Sequence, residues 1–573
     1  MRRAVLATLL CAAPLLAAPA YASGDLSDRT ALREALSHVA RASAAAVVPL
    51  PLPETPQASA ASASRELTSI ARNQGPERVL VGARTHGDVA GIAAAVRRLG
   101  AQPEVFGSIG VVAADVPSGA ELAARLRRDP RVAYIERNRE LHVAADPFDV
   151  VDPLTGVKYT WAYDGVRAAE ALAAAGGGSG RTIAVIDTGL DLRHPEFAGR
   201  VALTFDTASG GGDVTDFVGH GTFVTGLIAA VDGNGLGGKG VAGNTRVIAV
   251  RSSTDGNFSV DDLIRGLQFS VARGADVVNL SLAGQAFTRS QARALRAAFI
   301  NDVLPVAASG NNGLSGNPLE FPAAALGGRR GSRGIGLSVT ATRPNGSFGA
   351  FSTHNQFVSV AAPGAGPSGC EFGVFSTLPA GATEWDDPNQ SCSMTFAPPG
   401  GGRYAYGEGT SFSAPIATGI AALAWQVEPR LASEQVADVM TRSARQTVGR
   451  GWNEFTGAGI IDGAAATALA RTYDVTAPRV RAKAARRGGR VAVRIRRSRD
   501  RTERGRERAG RVSYGVLVSR DGGRNFSTAV SQRPRPFRRT IAIRGRRPNV
   551  FVATVSDGNG NVGIKRLGRF RAR

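Results

Sequence analysis

Ile183-Ala-Val-Ile-Asp187-Thr-Gly189 is a short apolar run that stops at an acid and a turn. Four apolar residues in a row suit a buried strand, and Thr-Gly ends it. Asp187 then sits at the strand's carboxyl end, where open α/β sheets present ligand and catalytic groups. Further along, Gly219-His220-Gly-Thr-Phe-Val-Thr-Gly226 places an imidazole at the start of a helical stretch, Thr222–Ala230. Such a group accepts and returns a proton at neutral pH. A third segment, Gly409-Thr-Ser411-Phe-Ser-Ala-Pro415, opens a helix of small residues that runs to Trp425. Pro415 is expected in that helix's first turn. The Ser411 hydroxyl lies at the positive end of the helix dipole, which favours developing negative charge. Taken singly, a turn-capping Asp, a structural His and an N-cap Ser are ordinary. Together they supply the nucleophile, the base and the orienting third group that serine catalysis needs.

The chain order Asp…His…Ser is one of the known orders of this triad. With these contexts, residues from about 145 to 470 resemble the subtilisin-like serine proteases (subtilases). The resemblance implies that Ser411 attacks, His220 is general base and then acid, and Asp187 orients the imidazole. It implies that Asn311, in Val306-Ala-Ala-Ser-Gly310-Asn311-Asn-Gly313, holds the oxyanion together with the Ser411 N–H. Ser281, Leu282, Ala283 and Gly284 on one side, and Ala308, Ser309 and Gly310 on the other, become the walls of a cleft. An extended peptide adds there as a strand. The chemistry requires no cofactor. A structural calcium ion is expected at Glu196 and Asn234, since carboxylate and amide oxygens suit a hard cation. Departures from the family pattern are Phe412 and Ser413 (usually Met and Ala), Ile416 (often His) and Phe223 (often His). None of them is a triad member. Glu320, before Phe321-Pro322, is a candidate for the first specificity pocket and would favour Arg or Lys in the substrate. The processing site inferred below, after Ala144, argues the other way, so preference stays open.

Strands alternate with helices along 180–430, which reads as an α/β core with a mostly parallel sheet. By resemblance that core has three layers. Upstream, residues 1–22 read as a signal peptide: Met1-Arg-Arg, an apolar run, and small residues at Ala20 and Ala22. Residues 23–76 are an Ala/Ser/Pro-rich spacer. Residues 77–144 alternate strand and helix, with Ser118 and Glu121 as a capping box. They resemble the subtilase propeptide, an α+β chaperone and inhibitor, which puts self-cleavage at Ala144-Ala145. The catalytic domain would then be 145–472. Cys370 and Cys392, the pair left after the signal, suggest one disulfide in a secreted chain.

Net charge is +22 over 573 residues, but residues 479–573 hold 27 Arg and 2 Lys against 3 Asp and 2 Glu. That segment is therefore +24 and the rest is −2. Alternating apolar residues, among them Val491, Val493, Ile495, Val512, Tyr514, Val516, Val518, Phe551, Ala553 and Val555, predict a small all-β sandwich over 476–573. Such charge suits an anionic cell-envelope polymer, a membrane surface or extracellular nucleic acid, or simply a solvated surface. Sparse aromatics speak against base stacking. The reading is a secreted or wall-associated, monomeric, self-processing serine endopeptidase acting on proteins or peptides, with its own propeptide as inhibitor. The alternative is a catalytically silent surface-binding protein that uses the basic domain.

Overall fold

The computed structural model describes residues 70, 77–138, 140–143, 161–178, 180–231, 234, 239–366, 373–381, 383–386, 395–397, 402–446, 451–498, 512–520, 526–545 and 547–571. The signal peptide, nearly all of the spacer, Cys370 and Cys392 lie outside them.

The first module contains β1 (Glu77–Ala83), α1 (Val89–Arg97), β2 (Glu104–Phe106), β3 (Val111–Val116), α2 (Gly119–Leu126) and β4 (Val132–Arg137). Ser118 caps α2 by accepting the Glu121 N–H, as its sequence predicts. The strands form one antiparallel sheet in the order β2-β3-β1-β4. Val79, Val81, Val112 and Ala114 pack under the two helices. Leu80, Val111 and Ala113 point the other way, into the core of the next domain. This two-faced alternation is the strand period of two serving two neighbours at once.

After β5 (Glu140–Val143) come α3 (Trp161–Gly165), α4 (Ala168–Ala174), β6 (Thr182–Asp187), β7 (Val201–Asp206), α5 (His220–Ala229), β8 (Arg246–Arg251), β9 (Asn257–Ser259) and α6 (Val260–Ala272). Next are β10 (Val277–Leu280), β11 (Leu282–Ala283), α7 (Arg289–Ile300), β12 (Leu304–Ala308), α8 (Ala323–Leu326), β13 (Leu337–Thr342) and β14 (Val360–Pro363). Then follow β15 (Val374–Leu378), β16 (Thr395–Phe396), β17 (Arg403–Gly407), α9 (Thr410–Val427), α10 (Ser433–Ser443) and α11 (Gly463–Thr472). Seven strands make a fully parallel sheet, ordered β14-β13-β12-β10-β6-β8-β7. Ile183 and Val185 of β6 face α5 and α9, while Ala184 and Ile186 face α6 and α7. This is the expected three-layer α/β core. Strand order reverses beside β6, so the crevice at the carboxyl ends of β6 and β10 is where a site belongs.

The C-terminal module has β18 (Ala482–Arg487), β19 (Arg490–Ile495), β20 (Ser513–Ser519), β21 (Ser527–Arg533), β22 (Arg538–Ala542), β23 (Asn549–Ser556) and β24 (Val562–Phe570). They form two antiparallel sheets, β18-β19-β22 and β21-β20-β23-β24, around their own apolar core. Strands β18 and β21 carry too few apolar residues for alternation to reveal them.

Candidate active site

Asp187 ends β6 and His220 begins α5, at the expected strand end and helix start. Their side chains meet at 2.7 Å between Oδ1 and Nδ1, with both residues buried. The Thr188 N–H also donates to that Asp187 oxygen, at 2.8 Å. Close approach of the two elements requires Gly221, where a Cβ would lie 2.3 Å from the Gly189 carbonyl oxygen.

Sequence reasoning missed a second acid here. Asp216 is buried and accepts from the N–H groups of Val218, Gly219 and Thr222 and from the hydroxyls of Thr222 and Thr188, at 2.7–3.2 Å. The Thr188 hydroxyl in turn accepts the Gly221 N–H at 2.8 Å. One carboxylate thus ties the end of β6 to the first turn of α5. The available signal was an Asp four residues before the His, ahead of a helix whose first N–H groups need acceptors.

Ser411 is the second residue of α9 and is buried. Its hydroxyl donates to the Ser281 carbonyl at 3.3 Å, and its own carbonyl accepts the Ser281 hydroxyl at 2.6 Å. The second bond follows from Pro415. The proline lies beyond the first turn, not within it, because the helix already begins at Thr410. It has no N–H to give the carbonyl four residues back, and Ser281 fills that place. Phe412 packs behind the imidazole, ring centroids 5.7 Å apart, with Phe223 and Trp385 beyond it. An aromatic wall thus occupies the position where Met is usual.

Asn311 accepts both the N–H and the hydroxyl of Thr410 through its side-chain oxygen, at 3.0 and 2.9 Å. This fixes which end of the amide is the donor beside Ser411. The Gly310 N–H donates to the same Thr410 hydroxyl at 3.1 Å.

The segments expected as walls lie at two neighbouring places in the fold. Ala308 ends β12, with Ser309 and Gly310 following it, and Leu282–Ala283 form β11 with Ser281 and Gly284 on either side. An upstream strand of the chain itself lies along the first of these walls, and its other neighbour is β9 rather than the 308–310 segment. Strand β5 lies antiparallel between β11 and β9, with Val143 opposite Leu282, His142 opposite Ala283 and Leu141 opposite Phe258.

Glu320 is buried and accepts from the Thr353 hydroxyl and, at 2.9 Å, from the Asn312 amide. Burial pushes its carboxyl above the usual range. Phe321 pairs with Gly284, and a Cβ on Gly310 would strike the Glu320 carboxylate, so Glu320 lies between the two walls.

At the expected calcium position, Glu196 and Asn234 do meet, but as acceptor and donor. The Asn234 amide and the Tyr404 hydroxyl reach the two carboxylate oxygens of Glu196 at 2.8 and 2.9 Å. Among the described residues no cluster of three acidic, His or Cys side chains gathers. Most of the loop 232–238 lies outside the described residues.

Comparison with known proteins agrees with this geometry. Residues 178–459 match the model of the subtilase family, Peptidase_S8. The chain is 31% identical over 328 residues to "Thermophilic serine proteinase" of Bacillus sp. (strain AK1), covering 55% of this chain and 69% of that protein. It is 30% identical over 343 residues to "Alkaline elastase YaB" of Bacillus sp. (strain YaB), covering 60% and 76%. In fold it resembles fervidolysin of Fervidobacterium pennivorans, described as a keratinolytic enzyme related to subtilisin. The TM-score is 0.55 at 19% identity, over 87% of this chain and 92% of that one. The acid–imidazole pair at the sheet's switch point, the serine at a helix start and these relatives agree: the chain belongs to the subtilase family and is a subtilisin-like serine protease.

Proposed function

We propose that the chain is a secreted endopeptidase made as a self-processing zymogen and working through an acyl-enzyme. Ser411 Oγ attacks the scissile carbonyl carbon while its proton passes to His220 Nε2, and Asp187 steadies the imidazolium. The oxyanion is held by the Ser411 N–H and the Asn311 side-chain NH2. Collapse breaks the C–N bond, and the leaving amine takes the proton from His220. Water, deprotonated by His220, then attacks the ester and frees the acid and Ser411.

One observation carries the zymogen reading: β5 pairs as a third strand between β11 and β9. The paired register ends with Val143 opposite Leu282, the neighbour of Ser281, whose carbonyl accepts the Ser411 hydroxyl. The bond after Ala144 would thus be the one offered to the nucleophile, and residues 77–144 would leave as the propeptide, separate from a catalytic domain over 145–472 and a basic domain over 476–573. Docking of the first module supports an inhibitor. Glu136 accepts the Arg289 and Ser290 N–H groups at the start of α7, at 3.2 and 3.0 Å, where a carboxylate meets the helix dipole. Asn138 and Arg78 both bond Asp261 at the start of α6.

The test is intact mass and N-terminal sequencing of protein from the culture medium, wild type beside Ser411→Ala. Wild type beginning near Ala145 and a variant that keeps its pro-region are expected. Identical unprocessed chains would leave the silent-scaffold reading standing. A calcium ion at Glu196 and Asn234 is part of the proposal, and it requires the Asn234 amide to turn its oxygen inward. Thermal melting that ignores EDTA removes it. The basic domain is assigned an anionic cell-envelope polymer as its partner.

A further inference from the structure

The register of the C-terminal module sorts its charges. Across β18, β19 and β22, Lys483, Arg494 and Arg538 are direct partners in one row, and all three are exposed. Two residues along, Ala485, Ala492 and Thr540 form the next row on that face. Two further along, Arg487 and Arg490 pair beside Ala542. The alternate residues Val491, Val493 and Ile495 face the core. Two cationic ridges therefore flank a floor of small side chains. At about 3.4 Å per residue the ridges stand about 14 Å apart, and three strands at about 4.8 Å spacing make the trough about 10 Å long.

Like charges placed directly opposite each other destabilise a sheet. Here no ion pair joins any of these five cations to a carboxylate among the described residues, where Asp557 is the domain's one acid and sits in a distant turn. Cations in register over a floor of small side chains complement a linear polyanion, and guanidinium groups grip phosphate oxygens two at a time. None of the three strands carries an aromatic residue, so bases would find nothing to stack on.

We propose that this trough binds a base-free phosphodiester polymer of the cell surface and holds the protease there. The proposal rests on the envelope-partner reading above and assigns it a site and a ligand chemistry. The full-length protein is titrated with poly(glycerol phosphate) at several salt concentrations, beside single-stranded DNA of equal charge and polygalacturonate. Arg490→Gln/Arg494→Gln/Arg538→Gln is measured in parallel, with hydrolysis of a short peptide as its folding control.

Expected is preferential binding of the glycerol phosphate polymer. The slope of log K against log salt, about −3.5 for five contacts at about 0.7 each, falls to about −1.4 in the variant, while peptide hydrolysis is unchanged. A variant that binds like wild type overturns the trough and leaves an envelope partner elsewhere on the domain. Equal or tighter binding of DNA overturns the base-free assignment, and equal or tighter binding of polygalacturonate overturns the phosphodiester assignment. Wild type that binds none of the three at low salt overturns the envelope-partner reading itself.

Discussion

The first and last modules are both small, both built on antiparallel sheets and both docked on one catalytic domain, yet they hold on by opposite means. The first shares its core with its host: Leu80, Phe106, Ile109, Val111 and Ala113 pack in one cluster with Leu267 of α6 and Leu295 of α7. Its carboxylates and amides then close the helix ends. The last keeps its core to itself and touches the catalytic domain through a polar turn. There Gln435 donates to the Asn559 carbonyl and to the Asn561 side chain at 2.9 Å, Asn561 donates to the Asp474 carbonyl at 2.7 Å, and Arg333 donates to the Gly558 carbonyl at 2.7 Å. Continuity of a core makes the first module part of the folded protease. A polar turn makes the last a passenger. The difference separates a module that shares the protease's core from one that folds around a core of its own.

The sharpest way to break the contrast is Ser411→Ala. It is expected to cost about 10⁶-fold in peptide hydrolysis, the scale known for removing a subtilisin nucleophile, and to leave the first module covalently attached. Mass spectrometry beside a peptide assay reads both effects, and residual processing in a purified variant would contradict a shared nucleophile. Asn311→Ala is next: kcat is expected to fall roughly 100- to 1000-fold with KM little changed, because in the proposed mechanism the side-chain NH2 meets the oxyanion and not the bound ground state. Processing in the same sample is expected to slow in proportion, since one site does both.

Smaller effects distinguish the two docking modes. Glu136→Gln removes the charge that closes α7, so inhibition by the first module added in trans is expected to weaken on the order of 10-fold. Gln435→Ala is expected to leave that inhibition alone and to destabilise the last module by about 1 kcal/mol, read from differential scanning calorimetry. Acid gives a further separation. Burial raises the Asp261 carboxyl, but Arg265, the Ser259 hydroxyl and Arg78 outweigh it and hold it below its ordinary value. Arg78 belongs to the first module. A depressed carboxyl contributes stability that is complete above its ordinary value, 3.8, and is lost as pH falls through the lower one. Inhibition in trans is therefore expected to be flat above about pH 5 and to weaken below about pH 4. Inhibition that strengthens on acidification would show that Asp261 is not part of the grip.

Much of this was legible in residue order alone. A four-residue apolar run before Asp187, glycines on both sides of His220 and a small-residue helix after Ser411 each carry a local signal, because strand, turn and helix start are set by neighbours in sequence. Strands β19, β20 and β23 were visible by alternation, and the charge break near residue 478 marked a boundary. What stayed hidden depends on partners far along the chain. Asp216 looks like any turn acid until five donors converge on it. Pro415 was expected in the first turn, and what it frees, the Ser411 carbonyl, has meaning only once Ser281 arrives from a different strand. Glu320 reads as a lone acid until Gly310 and Gly284 flank it.

The sequence by itself determined which side chains could do chemistry and in which local setting, since apolar period, caps and breakers act over a few residues. Only the tertiary structure decided that Asp187 and His220 share a hydrogen bond, that residues 140–143 pair with β11 and β9, and that Lys483, Arg494 and Arg538 stand in one row. Strand register and helix approach are settled by burial and packing between segments distant in sequence, and no local pattern encodes them.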